Sequence, residues 1–169
     1  MSDHIQQVPS SYTPKYLDIS KQRIAVVYAE WNSDITHSLR DGAICTLAKA
    51  GVPEEQILSI AVPGAFELNF AAGRLMKKKE IDAIIILGCV IRGETSHYDC
   101  ICDGVTEGIT RLNIKGKKPV IFGLITTENH QQAVDRSGGK LGNKGSEAAI
   151  AALQMLDFSC KIEKVLLPL

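Results

Sequence analysis

The sequence predicts an α/β protein in which helices cover both faces of a four-stranded parallel sheet. Continuous apolar runs, such as Ile24–Ala29 and Ala83–Ile91, are typical of strands buried on both faces of a parallel sheet. Stretches with apolar residues every three to four positions follow these runs and indicate amphipathic helices. Because strand and helix alternate four times, right-handed crossovers are expected to place helices on both sides of the sheet.

The elements follow one another with short connections. Strands are expected at residues 24–29, 57–62, 82–91 and 119–127. Helices are expected at residues 33–50, 65–79, 96–112, 129–136 and 146–160. The glycine-rich stretch 138–145 is predicted to be a flexible turn.

Length and composition indicate one folded domain. The chain has 169 residues, of which 45% are hydrophobic, enough for a sizeable core. Residues 1–22 are polar, contain prolines and show no periodicity, so they are predicted to form an extended N-terminal arm. Residues 23–169 are predicted to form a single α/β domain.

Charge, hydropathy and cysteine content exclude several classes of partner. Nineteen basic and nineteen acidic residues cancel, so no nucleic-acid partner is expected. No apolar run is long enough to span a membrane and no signal peptide is visible, so the protein is expected to have no membrane partner and to be cytosolic. The five cysteines lack zinc-like spacing and are predicted to be reduced thiols that act as small core residues. The four histidines are scattered, and no metal site is predicted.

The segment between the third strand and the third helix, residues 92–97, is the main candidate for chemistry. Ligands of parallel sheets bind beyond the carboxyl ends of the strands, where this segment lies. Gly93 lets a ligand approach the backbone, the hydroxyls of Thr95 and Ser96 can bind an anion, and His97 can move protons. The segment therefore predicts a phosphate pocket beside a proton-transferring histidine. Ser96 and Asp99 also resemble a helix capping box, and a cap there is compatible with the pocket.

Other catalytic and binding motifs are absent or weak. There is no G-x-G-x-x-G after the first strand, no G-x-x-x-x-G-K-[ST] and no G-x-S-x-G. A lysine forming a Schiff base stays open, with Lys140 and Lys144 as candidates. Trp31 ends a strand, where it could either stack on a flat ring or pack in the core or an interface.

Several segments share a joint pattern that covers residues 24–155. They read V-P-G-A-F-E-L at 62–68, L-G-C-V-I-R-G-E-T-S-H-Y-D at 87–99, F-G-L-I-T-T-E-N at 122–129, Q-A at 132–133 with R at 136, and G-N-K-G at 142–145. Together they closely resemble the 6,7-dimethyl-8-ribityllumazine synthase family. Two departures are visible: Asn69 stands where many members have proline, and Trp31 where many have phenylalanine. Asn69 is expected to disturb the start of its helix more than the chemistry.

The resemblance implies a three-layer flavodoxin-like fold and a homopentamer with active sites between subunits. It implies condensation of 5-amino-6-(D-ribitylamino)uracil with 3,4-dihydroxy-2-butanone 4-phosphate, releasing phosphate and water, in riboflavin biosynthesis. No metal or organic cofactor is implied. A non-catalytic flavin or lumazine carrier, or a shell-forming protein, is the alternative. The irregular N-terminal arm, residues 1–22, favours free pentamers over an icosahedral shell.

The resemblance also implies roles for individual residues. His97 is the expected acid/base, and Arg136 is expected to pair with the phosphate. The pyrimidine and its ribityl chain are expected to contact Trp31, Asn32, Ala65, Phe66, Glu67, Val90, Ile91 and Lys144. The butanone phosphate is expected to contact Glu94, Thr95 and Ser96, and Phe122 is expected to reach into the neighbouring subunit's site.

Overall fold

A parallel sheet forms the centre of the computed structural model, which describes residues 11–166. Its strands are β1 (Ile24–Ala29), β2 (Ile57–Val62), β3 (Ala83–Ile91) and β4 (Val120–Thr127). Their spatial order is β2-β1-β3-β4, and every neighbouring pair is parallel. The predicted four-stranded parallel sheet is confirmed, and each strand begins and ends within a residue of the predicted bounds.

Within the described residues, five α-helices cover the sheet on both faces, which confirms the predicted α/β fold class. They are α1 (Ser33–Ala50), α2 (Leu68–Leu75), α3 (His97–Ile114), α4 (His130–Arg136) and α5 (Lys144–Lys161). Short 3-10 helices span Ile19–Lys21 and Glu54–Gln56, and a π-helix at Ile162–Leu166 follows α5. The three layers are consistent with the flavodoxin-like fold that the resemblance implies.

Two apolar clusters hold the layers together. Because successive strand residues point to opposite faces, Ile24 and Val26 pack with α1 and α5, whereas Ala25 and Val27 pack with α2 and α3. Each side chain of β3 from Ala83 to Cys89 is buried in one cluster or the other, apart from Gly88. This double burial explains why β1 and β3 read as continuous apolar runs.

Two predicted elements differ from the structure. α2 spans Leu68–Leu75 rather than the predicted residues 65–79, because residues 63–67 form bends and a turn after Pro63 and the chain turns again at residues 76 and 77. The glycine-rich stretch is a small antiparallel hairpin, β5 (Ser137–Gly139) and β6 (Gly142–Asn143), rather than an open turn. Gly142 has a φ of 81°, a left-handed conformation that glycine adopts without strain, and the tight hairpin depends on it.

The described part of the N-terminal arm, residues 11–22, lies against α5. Its anchor is Asp157, whose carboxylate accepts hydrogen bonds from the Tyr12 hydroxyl and from three backbone N–H groups of residues 15–17. Residues 1–10 of the predicted arm, and residues 167–169 of the predicted domain, lie outside the described residues. The predicted division of the chain at residues 22 and 23 stays a prediction.

The described cysteines occupy different environments. Cys89 is buried in β3, where burial, and secondarily the charge of Asp34, raise the pKa of its thiol to about 12. Cys102 and Cys160 are partly buried, and Cys45 and Cys100 are exposed. The prediction of core thiols is therefore confirmed for Cys89 and wrong for Cys45 and Cys100. Within residues 11–166, no helix has both the length and the apolar character needed to cross a membrane.

Candidate active site

The carboxyl ends of β1 and β2 place Trp31 over the turn that precedes α2. Backbone hydrogen bonds from Glu30 N to Val62 O (2.8 Å) and from Trp31 N to Pro63 O (3.1 Å) hold the two segments side by side. The indole lies against Gly64, where an added Cβ would come within 2.7 Å of its ring. Trp31 is 66% exposed, so a place in the core is excluded and the ring is free to stack on a ligand.

Asn32 links this turn to the adjacent strand end. It has a φ of 59° in the left-handed region, an uncommon conformation that asparagine tolerates better than most residues. Its side-chain Nδ2 donates to the carbonyl oxygen of Cys89 at 3.0 Å. The amide is therefore held between the ends of β1 and β3.

The turn at residues 65–67 brings three predicted site residues to the same edge. Ala65 is buried, whereas Phe66 is half exposed and lies on Gly104 of α3, where a Cβ would come within 2.6 Å of the ring. The Oε2 atom of Glu67 is buried and has no hydrogen-bond partner among the described residues. A buried carboxylate oxygen without a donor is unfavourable, so this atom is suited to accept a hydrogen bond from a ligand.

The carboxyl ends of β3 and β4 lie side by side at the same edge of the sheet. Val90 and Ile91 are half-buried and pair in register with Thr126 and Thr127. The hydroxyl oxygen of Thr127 is buried and, like Glu67 Oε2, lacks a partner among the described residues. The sequence gives no reason to assign Thr127 a role, because only the fold shows that its hydroxyl has no partner among the described residues.

Residues 93–97 form the exposed rim above β3. The predicted capping by Ser96 is wrong: its backbone is helical, with a φ of −66°, and its hydroxyl makes no cap bond. Among the described residues, the amides of the first turn have one side-chain partner, a long contact from His97 N to the Thr95 hydroxyl (3.4 Å). Since the amides at this helix start lack a side-chain cap, they are available to an anion. The imidazole of His97 is exposed beside them and makes no hydrogen bond to a described residue.

Three predicted site residues, Phe122, Arg136 and Lys144, come from β4, α4 and α5 rather than from the rim. Phe122 pairs with Ile86 of β3, five residues before the end of β4, or about 16 Å along the strand. Arg136 is the last residue of α4, and Lys144 is the first residue of α5. Within residues 11–166, no hydrogen bond or ion pair joins any of the three to residues 93–97.

The two lysines considered for a Schiff base are ordinary ion-pair partners. Lys140 Nζ lies 3.0 Å from Asp135 Oδ2 and its side chain is 73% exposed. Lys144 Nζ lies 2.9 Å from Glu147 Oε2. A nucleophilic lysine is usually activated by desolvation or by a neighbouring cation, whereas each of these ammonium groups is paired with a carboxylate and Lys140 is largely exposed.

Comparison with known proteins gives one consistent result. The family model described as 6,7-dimethyl-8-ribityllumazine synthase matches residues 21–159. A protein of that name from Bacteroides fragilis is 54% identical over 142 residues, which are 84% of this chain and 99% of the relative. Proteins of the same name from Cytophaga hutchinsonii (53% identical; 87% and 92% covered) and Pediococcus pentosaceus (49% identical; 86% and 93% covered) are similar too. The chain belongs to the 6,7-dimethyl-8-ribityllumazine synthase family.

Proposed function

We propose that this chain condenses 5-amino-6-(D-ribitylamino)uracil with 3,4-dihydroxy-2-butanone 4-phosphate, forming 6,7-dimethyl-8-ribityllumazine and releasing phosphate and water. The observation that carries this proposal is that one sheet edge places an exposed indole and an unpartnered buried carboxylate oxygen near an uncapped helix start bearing a histidine. The indole and the carboxylate oxygen suit a flat, hydrogen-bonding ring, and the helix start suits a phosphate. Membership in the family supplies the identity of the two substrates.

The aromatic substrate occupies the part of the edge formed by β1, β2 and the turn before α2. Trp31 stacks on the pyrimidine, and Glu67 Oε2 accepts a hydrogen bond from an N–H or O–H of this substrate. Asn32, Ala65 and Phe66 contact the ribityl chain. The β3 end, Val90 and Ile91, lines the ring and keeps water from one of its sides.

The butanone phosphate occupies the rim formed by residues 93–97. Glu94, Thr95 and Ser96 surround the phosphate, whose charge is stabilised by the amides and the positive end of the α3 dipole. Arg136 adds a full positive charge to the partial charges of the helix, and its guanidinium can bind two phosphate oxygens at once. Because phosphate is the leaving group, these contacts also stabilise the charge that develops as it departs.

The reaction needs no covalent nucleophile on the protein. The amine of the pyrimidine attacks the butanone carbonyl and one water is lost. A carbon-bound proton then leaves as phosphate departs, and the resulting enol becomes a ketone. The neighbouring ribitylamino nitrogen attacks this ketone and a second water leaves, which closes the ring. His97 moves these protons, and a positioned acid/base of this kind typically contributes ~10²–10⁴-fold to the rate. Holding the two substrates together contributes more, since effective molarities in well-oriented reactions reach ~10⁵–10⁸ M.

A second subunit completes each site in a homopentamer. The position of Phe122, about 16 Å along β4 from the strand end beside the rim, supports this arrangement, because a neighbour can present this side chain where its own chain does not. Arg136 and Lys144, which make no hydrogen bond or ion pair with residues 93–97 among the described residues, are proposed to come from the same neighbour. Exposed apolar side chains, among them Phe66, Phe70 and Ile114, offer surface for such contacts. Mixing His97→Ala and Arg136→Ala protomers before assembly is expected to restore activity at interfaces that hold one intact copy of each residue. Absence of restoration in assembled mixtures would contradict a shared site.

The catalytic proposal is tested by adding the purified protein to both substrates and following lumazine absorbance. Product formation well above the spontaneous rate is the expected result. Tight binding of the lumazine with only the spontaneous rate would instead identify a carrier. Borohydride trapping of substrate on Lys140 or Lys144 would indicate the Schiff-base alternative.

A further inference from the structure

Arg92 lies where three elements of the candidate active site meet. Its backbone N–H donates to the carbonyl of Thr127 at 2.8 Å, which extends the pairing of β3 and β4 by one residue. Its guanidinium binds Asp99 in the first turn of α3 (Nη2 to Oδ1, 3.1 Å) and Glu128 just after β4 (Nε to Oε2, 3.0 Å). The same guanidinium lies 4.0 Å from the centre of the Tyr98 ring. The Arg92 side chain therefore joins the end of β3, which precedes the rim, to α3, which follows it, and to the end of β4.

The rim itself has few other contacts with the protein. Residues 93–96 are exposed, and none of their side chains bonds to another element among the described residues. A Cβ added at Gly93 would have no neighbour within 4 Å. The position of these residues therefore depends largely on what holds the two ends of the segment.

Isolated surface ion pairs typically stabilise folded proteins little, so a role in overall stability does not account for this arrangement. A guanidinium that binds two carboxylates and an aromatic face at once differs from such a pair because its planar fork fixes direction as well as distance. The Arg92 guanidinium is therefore expected to affect the position of the rim. Misplacing a substrate contact by about 1 Å can cost ~10²-fold in rate, whereas it changes the free energy of unfolding little.

We propose that Arg92 is a positioning residue, which holds the rim in its phosphate-binding shape by bridging Asp99 and Glu128. The inference rests on the proposed function, since it assigns the rim to the butanone phosphate. Glu128 directly precedes Asn129, whose side chain caps α4 by accepting from Gln132 N at 3.0 Å. The bridge therefore also joins the rim to the start of the helix that ends at Arg136.

Kinetics with each substrate varied separately test the proposal. Arg92→Gln is expected to raise the KM for butanone phosphate about tenfold and to leave the KM for the pyrimidine within about twofold. Asp99→Asn and Glu128→Gln are each expected to raise the same KM by about threefold, and neither should add to the effect of Arg92→Gln. Arg92→Lys, which keeps the charge without the fork, should lie between Arg92→Gln and the unmodified protein.

Arg111→Gln is the matched control, because Arg111 forms a similar exposed ion pair with Glu107 on the same helix, away from the rim. It should change neither KM. An unchanged KM for butanone phosphate in Arg92→Gln, or equal effects in the control, would overturn the proposal. So would a lower KM in Asp99→Asn and Glu128→Gln, since that result means that the freed guanidinium binds the phosphate itself.

Binding of inorganic phosphate, followed by calorimetry, separates this proposal from the catalytic one. Arg92→Gln should bind inorganic phosphate about tenfold more weakly than the unmodified protein does, and Arg111→Gln should bind it equally well. This comparison does not depend on turnover. An inactive protein that shows the expected pattern contradicts the proposed reaction alone, whereas an active protein without it contradicts the role of Arg92.

Discussion

Replacing Asp157 by asparagine is expected to release the N-terminal arm. The carboxylate is buried and accepts from the Tyr12 hydroxyl (2.7 Å), Tyr16 N (2.7 Å), Leu17 N (2.9 Å) and Lys15 N (3.1 Å). Each hydrogen bond to a charged group contributes ~1.5–3 kcal/mol, but one amide oxygen can still accept from some of these donors. A net loss of about 2–4 kcal/mol is therefore expected. At ~2–4 °C per kcal/mol for a chain of this size, Tm should fall by roughly 4–16 °C.

The pH dependence of this difference gives a second check. Burial by itself raises the pKa of Asp157, but hydrogen bonds from Tyr16, Tyr12, Lys15 and Leu17 outweigh it, so the pKa lies below its ordinary value. A depressed pKa gives stability that is present above the unfolded-state value of about 3.9 and is lost as pH falls through the folded-state value. The difference in Tm between the unmodified protein and Asp157→Asn should therefore stay constant from about pH 7 to pH 5 and shrink below about pH 4.

Differential scanning calorimetry and limited proteolysis measure both expectations. Tyr12→Phe removes one of the four donors and should lower Tm by a smaller amount than Asp157→Asn. Proteolysis should cut Asp157→Asn within residues 11–22 before it cuts the domain. A Tm unchanged within about 2 °C, with the arm equally resistant, would refute the assigned anchoring role.

Three further outcomes are expected. Gly145→Ala should lower Tm by several degrees, because its Cβ would overlap the backbone oxygen of Leu39; an unchanged Tm would show that α1 and α5 can separate at no cost. His97→Ala should slow turnover by ~10²–10⁴-fold without abolishing it, and a loss to the spontaneous rate would mean that His97 does more than transfer protons. In brief alkylation at pH 8 read by mass spectrometry, Cys100 should react and Cys89 should not, since the pKa of the Cys89 thiol is raised to about 12; modification of Cys89 first would contradict its burial.

The sheet could be predicted from the sequence because the signal for each central strand is local. β1 and β3 are buried on both faces, and double burial requires an uninterrupted apolar run that can be read directly. The long helices α1 and α5 show their buried stripes equally plainly. The short hairpin at residues 137–143 left no such signal, since its pairing involves glycines that suit a loop equally well.

Asn69 shows what the sequence alone does not reveal. It was expected to disturb the start of α2, where many family members have proline. In the structure its Nδ2 donates to the carbonyl of Gly104, 35 positions away, and its side chain occupies space that a Cβ at Gly108 would fill. The residue therefore docks α2 on α3. Only a long-range contact identifies this compensation, and local propensity carries no trace of it.

The candidate site was predictable to the extent that its residues follow strand ends. Trp31, Glu67 and His97 lie at the edge that the alternation of strands and helices predicts. The sequence does not predict that Arg92 bridges two elements or that the Thr127 hydroxyl lacks a partner among the described residues. Both features depend on which strand ends are neighbours in space. The Ser96 cap failed for a related reason: a short motif does not determine whether the hydroxyl turns toward the helix or away from it.

The phosphate assignment underlies the mechanism, and the KM for butanone phosphate of Arg136→Ala at saturating pyrimidine tests it most directly. Loss of a guanidinium that pairs with phosphate should raise this KM by at least about tenfold and slow turnover at low butanone phosphate at least as much as His97→Ala does. Near-normal turnover of Arg136→Ala at low butanone phosphate would contradict the assignment of Arg136 to the phosphate.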